Sequence, residues 1–212
     1  MTEPTALGDL DLAALVSSRI CHDIINPVSA ISNGLEMIDE EPDQEMREAA
    51  MDLIRKSAFQ ATAKLQFARL AFGAAGSAGA EIDLRDAEKV ARDFVQGSGK
   101  HEVVWQGPAV TLPKNKVKLL LNLVALGLVA LPRGGTVSVE IGGTPPDATF
   151  TVRASGTKAR LNDEVKALLS GGNGVEIDAH SIQPYYARRV ANAAGMTLTT
   201  EAEEEAVTFK AA

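Results

Sequence analysis

Cysteine occurs once in this chain of 212 residues, at Cys21, which excludes an internal disulfide and a cysteine-rich zinc site and agrees with a reducing compartment. No run approaches the roughly 18 apolar residues of a membrane span. The opening MTEPTALGDLDL also lacks the basic and apolar stretches of a signal peptide, so the expected location is cytoplasmic, with no membrane partner. Positive charge is scarce as well. Lys and Arg total 21 against 28 Asp and Glu, and the net charge of −7 gives no electrostatic reason to expect nucleic acid or an anionic membrane. Aromatic residues are few, with six Phe, two Tyr and one Trp, and there are only three His. What remains is an ordinary globular composition, 45% hydrophobic and 23% charged, which rules out fibrous, collagen-like and fully disordered chains.

The charge divides the chain. Residues 1–72 carry 12 acids and 6 bases, whereas residues 73–212 carry 16 acids and 15 bases. Between them GAAGSAGA, Gly73 to Ala80, has no side chain large enough to build a core, and its three glycines loosen the backbone. The expected organisation is therefore a helical hairpin over 1–73, a linker over 74–80 and a mixed domain over 81–212.

In the first region Ile20, Ile24, Val28, Ile31, Leu35 and Ile38 recur at steps of three or four, a helical seam with Asp9 as the expected N-cap. The acidic DEEPD ends it, since Pro42 suits the first turn of a second helix and not the interior of the first. The second helix runs from about Asp43 to Phe72, with Gly73 following its C-terminus. Helices of this length reach roughly 45 Å. A hairpin of that size lacks half of a bundle core, so dimerisation into a four-helix bundle is expected, with burial of the seam against the second region as the alternative. The second region reads as helix 84–94, strand 101–105, apolar helix 116–131, two alternating strands joined by GTPPD, two further helices and a closing strand pair, a two-layer α/β sandwich.

On a helical wheel His22 lies about 160° from Ile24, on a polar stripe with Ser18, Arg19, Asn26, Ser29 and Asn33. Asp23 follows it, and a carboxylate there can fix the imidazole tautomer so that the other nitrogen presents a lone pair. Pro27, one turn on, removes the backbone hydrogen bond to the Asp23 carbonyl, at a cost of about 3 kcal/mol in a helix interior. A kink just after His22 is one expected consequence. His101 and His180 have no such partners in the sequence and read as structural or surface residues. Cys21 reads as a packing residue at the edge of the seam.

HDIINPVSAI, His22 to Ile31, resembles the H-box of two-component histidine kinases, in which a phosphorylatable His on a dimeric bundle is followed by an acid and, five positions on, a Pro. Asn26 stands where many such kinases carry a Thr or Asn that positions water in phosphatase reactions. In those kinases a Bergerat-type ATP-binding sandwich follows. Asn122 matches the first Asn of its N-box, but Leu126 stands at the magnesium-binding Asn, and an apolar side chain cannot hold a hard cation. ASGTK places Ala154 at the adenine-reading Asp and Lys158 at the second Gly, and only Gly156 fits. SGGNG, Ser170 to Gly174, reads as a flexible loop and not a phosphate cradle.

An intact H-box before a degenerate ATPase-like domain resembles the ChpT-type histidine phosphotransferases of alphaproteobacterial phosphorelays, over essentially the whole chain. The resemblance implies a homodimer whose His22, aided by Asp23, relays phosphate from the receiver domain of a CckA-like hybrid histidine kinase to CtrA-like and CpdR-like response regulators. A receiver reaching His22 must cover the surrounding face of the helix, so Ser18, Arg19, Asn26, Ser29 and Asn33 are expected at or near the docking interface. No cofactor or metal is expected on this chain, with Mg2+ supplied by the partner receiver. Two other readings stay open: a catalytically silent dimeric adaptor that docks regulators, and an active ATP-dependent histidine kinase, against which Leu126 and Ala154 argue.

Overall fold

The computed structural model describes residues 7–40, 43–73, 80–172 and 175–212. Helix α1 (Asp9–Glu40) and helix α2 (Gln44–Ala71) form the antiparallel hairpin that the apolar spacing predicts. Asp9 is the first helical residue and not the N-cap; with Asp11 it places negative charge in the first turn, where the helix dipole favours it. Asp43 caps α2, its side chain accepting from the Glu45 amide. Pro42 and most of the glycine-rich stretch, 74–79, lie outside the described residues.

The buried residues in the middle of the hairpin are small: Pro27, Gly34, Ala50, Ser57 and Ala61. Small side chains let the two backbones approach closely, and at Gly34 a Cβ atom would stand 2.7 Å from Ile54 Cγ1. The large apolar residues therefore point elsewhere. Val28, Leu35, Met46, Leu53, Phe59 and Leu65 are all exposed in the single chain.

The rest of the chain runs β1 (Glu81–Asp83), α3 (Leu84–Gly97), β2 (His101–Gln106), β3 (Thr111–Pro113), α4 (Lys114–Val129), β4 (Gly135–Gly142), β5 (Thr149–Ser155), α5 (Asp163–Ser170), α6 (Ile182–Ala193), β6 (Leu198–Ala202) and β7 (Ala206–Ala211). Five strands form one sheet in the order β2-β4-β5-β7-β6, with β2 and β4 parallel and the other pairs antiparallel. Its core is shared with α3, α4 and α6, and α4 is buried around nearly its whole circumference, as its unbroken apolar run requires. This is the expected two-layer α/β sandwich. The sequence reading missed β1 and β3, which pair antiparallel in a separate two-stranded sheet. Three residues are too few to show a period-2 pattern.

The two regions are packed together. Phe67, Leu70 and Ala71 at the end of α2 belong to the same buried cluster as α3 and α4, and Phe67 stacks on Phe94 with ring centroids 3.9 Å apart. The last carbonyls of a helix have no intrahelical donor. Here Asn122 Nδ2 donates to the Ala71 carbonyl at 3.1 Å and the Tyr186 hydroxyl to that of Phe72 at 3.4 Å. At the same end of the hairpin Leu12, Leu15 and Val16 of α1 pack on Leu168, Ile182 and Tyr185. Arg189 stands 3.6 Å from Asp9.

Candidate functional site

Helix α1 continues unbroken through Pro27. The missing amide leaves the Asp23 carbonyl open, and Lys64 of α2 fills the place, its Nζ donating to that oxygen at 2.8 Å. A hydrogen bond contributes about 0.5–1.5 kcal/mol net, which offsets part of the cost of an interior proline. Lys64 thus ties α2 to the turn of α1 that carries His22.

The His22 side chain is 55% exposed. Its Nδ1 lies 3.7 Å from Asp23 Oδ1, beyond hydrogen-bond length but close enough for the carboxylate to favour a proton on that nitrogen and leave the lone pair on Nε2. Asp23 is itself held. Arg19 Nε donates to Asp23 Oδ2 at 2.8 Å, and Arg19 Nη1 donates to the main-chain carbonyl of His180 at 3.2 Å. The His180 ring meets the His22 ring edge to face, with centroids 4.9 Å apart and planes at 82°. Sequence reasoning placed His180 apart from the site, and the structure brings it into contact.

His180 sits in a turn organised by Asp178, whose Oδ1 accepts from the amides of His180 and Ser181 and from the Ser181 hydroxyl. The bonds from Ser181, backbone first and then side chain, hold the Asp178 carboxyl below its ordinary value.

Among the other stripe residues Ser18, Asn26, Ser29 and Asn33 are exposed. Arg19 is mostly covered and already engaged by Asp23 and His180, which limits its use as a free charge for a partner. Cys21 is exposed, so the expected packing at the seam edge is absent in the single chain. His101 is structural: its ring bridges the Ser98 hydroxyl and the Leu131 carbonyl. A cavity of about 200 Å³ lies between α1, α2 and the α/β region, lined by Ile20, Ile24, Phe67, Phe94 and Leu128 with Arg19, Asp23 and Lys64 also on its wall.

The positions that resemble nucleotide boxes are filled by packing. Leu126 and Ala154 are buried in the core, and Asn122 spends both described donations on carbonyls, those of Ala71 and Lys118. The Gly156 amide donates to the Glu205 carbonyl, and Lys158 adopts a left-handed backbone with φ 61°. In the SGGNG segment Gly171 is the left-handed C-cap of α5, and residues 173–174 lie outside the described residues. Among the described residues no group of three or more His, Cys, Asp and Glu converges. Nor is any helix among them long and apolar enough to cross a membrane.

An exposed histidine beside a carboxylate on a long hairpin, in front of an α/β sandwich, defines a phosphotransfer class, and comparison with known proteins agrees. Residues 84–206 match the histidine phosphotransferase C-terminal domain, and the chain belongs to the histidine phosphotransferase family. It is 49% identical over 212 residues to protein phosphotransferase ChpT of Brucella abortus (strain 2308), covering 100% of both chains. The 1.7 Å structure of a bacterial phosphotransferase, 46% identical, superposes with a TM-score of 0.91 over 100% of each chain.

Sequence reasoning missed two contributors, His180 and Lys64. The signal for Lys64 was present, because an interior proline announces one open carbonyl. Nothing local announced His180, whose carbonyl is 161 residues from Arg19.

Proposed function

We propose that the protein relays a phosphoryl group through His22, between the receiver domain of a hybrid histidine kinase (CckA-like) and downstream response regulators (CtrA-like and CpdR-like). The observation that carries this reading is the His22 imidazole, more than half exposed, with Nδ1 turned to Asp23, in a chain of the histidine phosphotransferase family. The Nε2 lone pair attacks the phosphorus of a receiver aspartyl phosphate in line. An N–P bond forms as the P–O bond to the aspartyl oxygen breaks, and the receiver carboxylate leaves with the bonding pair. The proton on Nδ1 stays, so the product is a phosphoimidazolium whose positive charge faces Asp23. The reverse step loads the next receiver.

No metal ligand is required of this chain, since Mg2+ comes with the acidic pocket of the receiver. Ser18, Asn26, Ser29 and Asn33 offer small or polar exposed side chains around His22, which supports docking on this face of α1. The homodimer is part of the same reading. Val28, Leu35, Met46, Leu53, Phe59 and Leu65 leave the hairpin with an exposed apolar face that a second copy of the hairpin would cover. The location consistent with such partners is the cytoplasm.

The test is incubation of the protein with a receiver domain carrying labelled aspartyl phosphate. Acid-labile, base-stable label on the wild-type chain, absent from a folded His22→Ala variant, is the expected outcome. A stable receiver complex without label favours the silent adaptor, and label from ATP alone favours the kinase.

A further inference from the structure

Four contacts close a ring around the phosphoacceptor. His22 Nδ1 faces Asp23 at 3.7 Å, Asp23 accepts from Arg19 at 2.8 Å, Arg19 donates to the His180 carbonyl at 3.2 Å, and the His180 ring returns to His22 at 4.9 Å between centroids. Three of the four members are on α1; the fourth comes from the turn before α6. An edge-to-face aromatic contact contributes about 0.5–1.5 kcal/mol, small for a fold but sufficient to select one orientation of an exposed ring.

We propose that His180 is a positioning residue for phosphotransfer at His22: its ring fixes the plane of the His22 imidazole while its carbonyl, through Arg19, fixes Asp23. The proposal rests on the reading of His22 as the phosphoacceptor. An exposed imidazole on a helix surface otherwise samples several rotamers, and each wrong one turns Nδ1 away from Asp23 and the lone pair away from the line of attack. The groups facing the pair are Asp23 and Arg19 on α1 and Asp178 and Ser181 in the turn, with Lys64 of α2 behind Asp23. Asp178 anchors the turn by three accepted hydrogen bonds, so His180 is delivered by a built feature and not by a loose loop. The α/β region thereby takes part in the chemistry through a contact that needs no nucleotide.

Two variants separate the roles of the ring. His180→Ala removes it, and His180→Phe keeps an aromatic edge without nitrogen; both retain the carbonyl. The first readout is the nitrogen-15 spectrum of the His22 ring in the protein alone. The expected wild-type signature is one tautomer with the proton on Nδ1, a mixture in His180→Ala, and the wild-type signature again in His180→Phe. The second readout is transfer from a phosphorylated receiver, where His180→Ala should lower the rate at saturating receiver about tenfold with KM nearly unchanged, and Phe should restore most of it. A His180→Ala protein with the wild-type tautomer and rate, a loss confined to KM, or failure of Phe to rescue would each overturn the proposal. The spectrum needs no receiver, so absence of label on wild-type His22 would defeat the phosphoacceptor reading separately.

Discussion

Helix α4 buries ten of its 16 residues, whereas α1 buries only Pro27 and Gly34 along 32. Both are strongly apolar on at least one side, yet one is finished as a folded element and the other is not. In the α/β region, sheet and helices cover each other within one chain. In the hairpin, the small-residue contact between α1 and α2 satisfies the backbones while leaving Val28, Leu35, Leu53 and Leu65 facing water. The difference leaves the hairpin with an uncovered apolar side, the surface on which the proposed second copy would sit, and an exposed polar side around His22, where the proposed receiver would dock.

The largest expected effect breaks that contrast directly. Burial of a Leu side chain stabilises an interface by about 1.5–3 kcal/mol, and a buried unpaired carboxylate costs more than is gained, so wild type should sediment as the proposed dimer at micromolar concentration and Leu35→Asp as a monomer. A wild-type protein that sediments as a monomer at every concentration would remove the comparison's explanation. Next comes the joint between the regions. Asn122→Leu strips the Ala71 carbonyl of its donor, and the expected cost is about 1–3 kcal/mol. Loss of the unpartnered Asn122 Oδ1 keeps it towards the lower end. Thermal unfolding should shift by roughly 2–4 °C for each kcal/mol.

A smaller effect tests the proline. Lys64→Met should destabilise wild type but cost almost nothing in a Pro27→Ala background, where the restored amide bonds the Asp23 carbonyl; the expected coupling is about 1 kcal/mol in a double-mutant cycle. Additive effects would mean that Lys64 does something other than fill the vacancy. The smallest expected signal is none at all. Titration calorimetry with ATP and Mg2+ should show no binding, because Leu126 and Ala154 are packed in the core where the resembling domains hold metal and adenine. Micromolar binding would bring the kinase reading back.

Most of the fold was legible because its long elements carry strong periodicity: the hairpin, α3, α4 and the alternating strands β4, β5 and β7 all stand where spacing predicts them. Their side chains face either core or water, and that binary choice is what periodicity records. The site was legible only along α1. His22, Asp23 and Pro27 share one helical stretch, but the groups that orient them come from Lys64, 41 residues from Asp23, and from a polar turn at His180. Polar contacts between distant exposed residues leave no period in a sequence. Asn122 is instructive in another way, since a residue matching a nucleotide box proves to hold the end of α2. Its identity was read from resemblance, and its bonds depend on where α2 ends in space.

The most direct test is to locate the phosphoryl group after a single round of transfer from a labelled receiver, by peptide mapping and by phosphorus–nitrogen coupling in the intact protein. The account predicts one modified residue, His22, bonded through Nε2 with Nδ1 still protonated. Label on His101, His180 or a carboxylate, or a bond through His22 Nδ1, would contradict it.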